Sequence, residues 1–367
     1  PKEKQTTGDV RIEFYAAIKT AEPFLPAGTV IAREQTYVHT FYKKEATAQQ
    51  PATSKEEGNL VAFSGPDFKA TFDKQSGLLT SYLYKKHEYI LNGQGPRPFF
   101  WRAPTDNDYG ANLPVRLKAW KEASYQEPKA ESFQVTPGSN ATTIKVTYRF
   151  PQTDARWDIT YKIYASGVIK VDNRFVAEGD QAPMIPRVGL RMQLPESFTD
   201  LTYYGRGPKE NYRDRRTSQF IGEYAIPVKD MYEPYVRPQE NNHRTDIYWC
   251  ALTDKTQRGL LLIADRTFEL NASNYPLESM DSGDTIDNGA PRTEKTHHRH
   301  LTDPLPEKMV DLFIDYRMMG VGGDDSWGAT AHEPYLIRPG KENTIEYGFS
   351  LVPFDKKEDY KYLIRQY

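Results

Sequence analysis

Ile144-Lys145-Val146-Thr147-Tyr148-Arg149-Phe150 is the stretch whose reading decides the fold. Ile144, Val146, Tyr148 and Phe150 alternate with Lys145, Thr147 and Arg149. A period of two lays one face of a strand on a core and leaves the other in water. The pattern returns in Trp157, Ile159, Tyr161 and Ile163, and Ala165-Ser166-Gly167 then turns the chain into Val168–Val171. Outward from this centre, Phe68–Phe72, a turn at Asp73-Lys74-Gln75-Ser76-Gly77, and Leu78–Tyr84 read as a hairpin. Gly259–Ile263 is a continuous apolar run, the mark of a strand buried on both faces. Ile345, Tyr347, Phe349 and Leu351 close the series. Near the start, Val10, Ile12, Phe14, Ala16 and Ile18 alternate as a half-buried strand, and Thr29–Phe41 gives a second. One helix is expected, with Asn112 as its cap, Pro114 in its first turn, and Leu113, Leu117 and Trp120 on one face. Many strands and one helix predict an all-β chain built as a large antiparallel two-sheet sandwich.

The chain has 367 residues, 38% of them hydrophobic, enough to bury a sizeable core. A formal charge of -2 leaves no electrostatic footprint for nucleic acid. No window approaches the apolar length of a membrane span. Cys250 is the single cysteine, so neither an intrachain disulfide nor a paired-cysteine metal site is available, and it does not define a compartment. Aromatic residues make up 13%, including 25 Tyr, which β-propensity largely explains.

Met319-Gly320-Val321-Gly322-Gly323-Asp324-Asp325-Ser326-Trp327-Gly328 is the stretch richest in chemistry. Its glycines allow a tight backbone path, and its acids and serine can hydrogen-bond their own turn. The turn presents one indole, suited to the apolar face of a sugar ring; the plainer reading is a core Trp under a capped turn. Four further stretches accompany it: Phe100-Trp101-Arg102-Ala103-Pro104-Thr105-Asp106-Asn107-Asp108, Tyr204–Arg215, Asp230–Asn241, and His298-Arg299-His300-Leu301. In this order, from about Gly58 onward, they closely resemble the C-terminal region of lacZ-type β-galactosidases of glycoside hydrolase family 2.

The resemblance implies a galactose-mutarotase-like supersandwich over residues 59–367. Residues 1–44 then read as the last strands of an immunoglobulin-like domain, since two strands make no core of their own. Residues 45–58, rich in Ala, Thr, Gln, Pro, Ser, Lys and Glu, read as a flexible linker. Pro1 follows no Met and no charged-then-apolar leader, so the chain is expected to be part of a longer reading frame or a cut product. The parent enzyme would hydrolyse terminal β-D-galactosides with retention, using two glutamates on an upstream (β/α)8 barrel of the same polypeptide. No catalytic residue and no cofactor is therefore assigned to this part, and any Mg or Na belongs to upstream domains. Trp327 would reach the substrate site, with Gly322, Gly323, Asp324 and Asp325 supporting its turn. A β-galactoside or oligosaccharide, the barrel and further copies of the parent are the implied partners. Nucleic acid and membrane are not, and bacterial cytoplasm and periplasm both remain open.

Other residues have plainer readings beside functional ones. Glu210, Glu240 and Glu333 sit in motifs, but no spacing converges two of them at the separation of about 5 Å that retaining glycosidases use. Asp106-Asn107-Asp108 offers hard oxygen ligands, yet reads better as a turn that hydrogen-bonds itself. Asp324-Asp325 reads the same way. His297, His298 and His300 have a metal-like spacing without partners. Arg102, Arg206, Arg213, Arg215 and Arg216 read as braces for loops. Two other function classes stay open: a carbohydrate-binding domain, and an epimerase using His243, His298 or His332 with Glu240 or Glu333. A histidine–carboxylate pair converging in the concave face separates the last from the others.

Overall fold

The computed structural model describes residues 8–41, 49–177, 184–283, 300–325, 328–338, 340 and 344–366. They fall into two compact units, the first comprising Pro1–Thr47 and Lys361–Tyr367, the second Ala48–Tyr360. In the first, β1 (Gly8–Ala17) pairs antiparallel with β2 (Val30–Phe41). The alternation in β1 makes a strand but not a half-buried one, because Ile12 and Phe14 are each about half exposed, as are Tyr37 and Val38 of β2.

The second unit begins with a five-stranded antiparallel meander: β3 (Thr53–Glu57), β4 (Leu60–Ser64), β5 (Phe68–Asp73), β6 (Leu79–Tyr84) and β7 (His87–Glu88). The linker expected over 45–58 is thus corrected at Thr53–Glu57, while 45–48 lie outside the described residues. Thr53–Glu57 pairs along β4, and the Ala52 amide bonds to Ile163, so backbone pairing overrides a coil-like composition. The β5–β6 turn forms where expected, with the Ser76 amide donating to the Asp73 carboxylate at 2.7 Å and Gly77 at φ 75°.

After β8 (Arg97–Phe99) come three short helices, α1 (Asp106–Gly110), α2 (Leu113–Arg116) and α3 (Lys118–Tyr125), where one was expected. Asn112 takes a left-handed conformation and makes no capping bond with its side chain, while Thr105 caps α1. Leu113, Leu117 and Trp120 are all buried, as their spacing requires. The large sheet follows: β9 (Ala130–Thr136), β10 (Thr142–Phe150), β11 (Ala155–Ile163), β12 (Ile169–Ala177), β13 (Arg187–Pro195), β14 (Asp200–Gly207), β15 (Phe220–Pro227), β16 (Arg244–Thr253), β17 (Gly259–Ser273), β18 (Met309–Met318) and β19 (Ile345–Phe354).

These strands and β8 make a twelve-stranded antiparallel sheet that forks at β17. One arm runs β17-β19-β12-β11-β10-β9, the other β17-β18-β13-β8, and β16, β14 and β15 continue beyond the fork. The fork is possible because β17 is 15 residues long: Gly259–Ala264 pairs with β19, and Glu269–Ser273 pairs with β18. The five-stranded sheet packs on the inner face of the long arm, where Phe72 meets Tyr161 edge-on at 5.0 Å. Ile144, Val146, Ile159, Tyr161 and Val171 are nearly fully buried there, while Lys145, Thr147, Asp158 and Thr160 point outward. The chain is therefore all-β, with its apolar core between two antiparallel sheets.

Candidate functional site

β18 ends at Met318 and releases the Met319–Gly323 loop, which residues from two distant motifs hold in place. Arg102 is buried, and its guanidinium grips Asp108 in bidentate fashion, Nε to Oδ2 at 2.9 Å and Nη2 to Oδ1 at 2.7 Å. Its remaining donors reach the carbonyls of Met319 at 2.8 Å and Gly320 at 3.2 Å. Asp108 also accepts the Thr105 amide at 3.0 Å, completing the reciprocal cap of α1. The Asn107 amide donates to the Val321 carbonyl at 3.2 Å. From the other side, Asp214 accepts the amides of Val321 at 3.0 Å and Gly322 at 2.8 Å. A Cβ on Gly320 would lie 2.5 Å from that carboxylate, so glycine is required for the approach.

Gly322 has φ 69° and Gly323 φ 106°, both in the left-handed region. The Gly323 amide bonds to the Ala329 carbonyl at 3.3 Å, and the Ala329 amide to Asp325 Oδ1 at 3.1 Å, closing the turn on itself. Asp324 instead pairs with His332 on the exposed side. Trp327, with Ser326, lies outside the described residues.

Beneath the loop is a buried ionic network that periodicity gave no hint of. Its histidine, His243, has one ring nitrogen 2.6 Å from Asn271 Oδ1 and the other 2.9 Å from Glu269 Oε2. Glu269 also accepts the Met318 amide at 2.7 Å and the Arg213 guanidinium. Burial alone would raise the Glu269 carboxyl; the His243 bond and the Arg213 charge outweigh it and hold it down at about 2. Arg187 is fully buried between Glu240, Asn271 and Asp315, at 3.2, 3.0 and 3.2 Å. Asp315 goes the other way. Burial pushes it up to about 7 against the attraction of Arg187 and His243, and neither of its oxygens has a hydrogen-bond partner among the described residues.

The other sequence candidates separate cleanly. Arg206 and Arg216 both hold Asp246, and Arg215 holds Glu210, so these arginines brace loops. Asp106 and Asp108 serve α1 and its neighbours, and among the described residues no three His, Cys, Asp or Glu side chains gather as a metal site would require. Among the described residues the epimerase pairings of His243 or His332 with Glu240 or Glu333 do not form: Glu240 is bound to Arg187 and Asn271, Glu333 to Arg338, and His332 to Asp324. His297 and His298 lie outside the described residues. A histidine–carboxylate pair does exist in His243–Glu269, but both groups are buried, and no described histidine lines the open groove on the outer face of the long arm. Sequence reasoning missed Arg187, Arg191, Glu269, Asn271, Asp311 and Asp315. Their signal was present, since each is a polar residue inside an otherwise apolar strand, where burial demands a partner.

Residues 64–351 match the sequence profile of the family described as "Beta galactosidase small chain". The chain is 33% identical over 307 residues to a β-galactosidase of Priestia megaterium, covering 83% of this chain and 28% of that one. It is 30% identical over 341 residues to a β-galactosidase of Lactobacillus delbrueckii subsp. bulgaricus, covering 92% and 31%. The chain thus spans about a third or less of the curated relatives it matches. Similar solved structures include a putative mutarotase from Salmonella typhimurium, at 9% identity and TM-score 0.44, covering 86% of this chain and 97% of that one. Another is a GalM/aldose epimerase homologue from C. elegans, at 10% identity and TM-score 0.41, covering 79% and 96%.

Proposed function

Because the chain belongs to the β-galactosidase small-chain family, we propose that it is the C-terminal, non-catalytic part of a retaining β-galactosidase acting on terminal β-D-galactose residues. The observation that carries this reading is the pinning of Met319–Gly323 by Arg102, Asn107 and Asp214, side chains from two separate motifs. A loop fixed from both sides presents a group; it does not perform chemistry by itself. Its nearby carboxylates are already engaged, Asp108 by Arg102 and Thr105, and Asp214 by two backbone amides. Neither is left to act as nucleophile or acid across a scissile bond.

In this reading the two catalytic glutamates lie on an upstream barrel, and any Mg or Na is held there too. Trp327 stacks on the aglycone side of the galactoside, and Gly322, Gly323, Asp324 and Asp325 hold its turn. The barrel and further copies of the parent cover surfaces of this part, the exposed apolar faces of β1 and β2 among them.

Two assays test the reading. The isolated chain should not turn over an activated aryl galactoside. In the full-length enzyme, Trp327→Ala should weaken acceptor binding several-fold to tenfold, since such an aromatic contact contributes on the order of 1 kcal/mol. The melting temperature should hold. A sharp loss of stability, about 3–5 kcal/mol as for a truncated core aromatic, with unchanged affinity per folded molecule, would make Trp327 a core residue.

A further inference from the structure

The outer face of the long arm forms an open groove of about 1310 Å³, larger than the pockets of about 300–1,000 Å³ that take drug-sized ligands. Its floor is the outward face of β10, β11, β12 and β19, and its wall comes from β17 and β18 at the fork.

Two backbone irregularities shape that wall. Between Ile263 and Phe268, β17 inserts four residues against the single Tyr248 of β16. On β18, Tyr316 is the extra residue between Asp315, which faces Gly189, and Arg317, which faces Val188. Bulges of this kind re-aim side chains. Here they bring Arg266, Thr267, Tyr316 and Arg317 all to line the groove.

The charges of the groove do not cancel locally. Its five carboxylates all have cationic partners: Asp158 has Arg156, Asp172 has Lys162, Asp265 has Lys170, Glu346 has Arg174, and Asp246 has Arg206 and Arg216. Arg213 is taken by Glu269. Arg266 and Arg317, by contrast, have no carboxylate partner among the described residues, and the buried Nε of Arg317 has no hydrogen-bond partner. The Arg317 guanidinium lies 5.2 Å from the ring of Tyr316.

We propose that this groove binds an acidic saccharide, a sugar chain bearing carboxylate or sulfate groups. Two uncommitted guanidinium forks match such anions bidentately. The paired carboxylates and the threonines offer fixed acceptors and donors to sugar hydroxyls, and Tyr316 offers a ring face. The size of the groove argues for an oligosaccharide over a lone ion.

Calorimetric titration of the 367-residue chain tests this with three probes: trigalacturonate, a sulfated galactose trisaccharide and neutral galactotriose. At least one acidic trisaccharide should bind about tenfold or more tightly than the neutral one, and the two acidic arms tell carboxylate from sulfate recognition. The R266Q/R317Q double variant should lose about tenfold or more, the loss of charge-assisted hydrogen bonds. Arg266→Gln alone, at an exposed position, should lose several-fold with an unchanged melting temperature, which keeps the test valid if the double variant misfolds. The proposal is overturned if neither acidic sugar outbinds galactotriose, if the variants titrate like the parent chain, or if inorganic sulfate competes as strongly as the sugar.

Discussion

Two buried regions of the second unit are made of opposite materials and meet at one tripeptide. Phe100 enters an aromatic layer, its ring 4.9 Å from Phe150, 5.5 Å from Trp157 and 5.4 Å from Phe175. Trp101 offers its carbonyl to Arg187 at 3.3 Å, and Arg102 holds the Met319–Gly323 loop. On one side the contacts are non-directional and many; on the other they are few, directional and mutually dependent. Dispersion and burial tolerate small errors of shape, whereas a buried charge left without its partner retains its full desolvation cost. The difference predicts that substitutions of similar size act very differently in the two layers.

The largest effect is expected at Arg187. Arg187→Met keeps much of the volume but strands Glu240, Asn271 and Asp315. Breaking one side of such a pair costs about 3–5 kcal/mol, which lowers the melting temperature by on the order of 10 °C. A second change, Asp315→Leu, should recover part of the loss, because the orphaned carboxyl goes with it. If Arg187→Met melts within a degree or two of the parent, the ionic layer does not behave as a unit.

The next effect is on pH dependence. Asp315 is pushed up from 3.8 to about 7 by burial, so the folded state binds its proton more tightly than the unfolded chain does. That stabilisation is fully present below about pH 4 and is lost as the pH rises toward 7, on the order of 4 kcal/mol in all. Glu269 is held down from 4.5 to about 2, so its contribution is present above pH 4.5 and lost as the pH falls toward 2. Asp315→Asn imitates the protonated acid. Urea unfolding should find it more stable than the parent by a gap that widens from pH 5 to pH 8. The same gap at both values would mean that Asp315 does not titrate in this window.

The two layers also differ in how far the sequence revealed them. Strands β10, β11 and β12 announce the aromatic layer because their inward residues repeat every second position, and one face meets one environment. The ionic layer breaks that rule: Arg187, Glu269 and Asp315 sit at inward positions where periodicity expects apolar side chains. The motif stretches contain Arg102, Asp108 and Asp214, but nothing in the sequence joins the three or shows what they hold. That depends on Met319–Gly323, more than a hundred residues away from Asp214. Helix boundaries near Asn112 and the pairing of Thr53–Glu57 were missed because both are set by tertiary contacts.

A smaller effect is expected at Asp214. Asp214→Ala removes the acceptor of the Val321 and Gly322 amides without touching Arg187 or His243. Hydrogen bonds to a charged group contribute about 1.5–3 kcal/mol, so exchange of those two amides should speed up by about tenfold or more. The amides of β10 and β11 should keep their protection. Uniform loss of protection would show that Asp214 stabilises the whole unit and does not act on the loop alone.

The smallest effect belongs to the aromatic and aliphatic side. Ile159→Val deletes one methyl group from a side chain fully buried between the sheets. Its cost should be about 0.5–1.5 kcal/mol, because neighbours shift partly into the vacated space. Neither Ile159 nor its replacement carries a titrating group, so the loss should be the same at pH 5 and pH 8. The Val321 and Gly322 amides should exchange as in the parent, since the loop is held by the hydrogen bonds of Arg102 and Asp214, in which no β11 residue takes part. Asn271→Asp is the counterpart on the other side, a change of one atom that replaces the donor to Glu240 with another acceptor. It should cost several times more and vary with pH. If Ile159→Val loosens the loop amides or acquires a pH dependence, strain passes through Phe100–Arg102 from one layer to the other, and they behave as a single core.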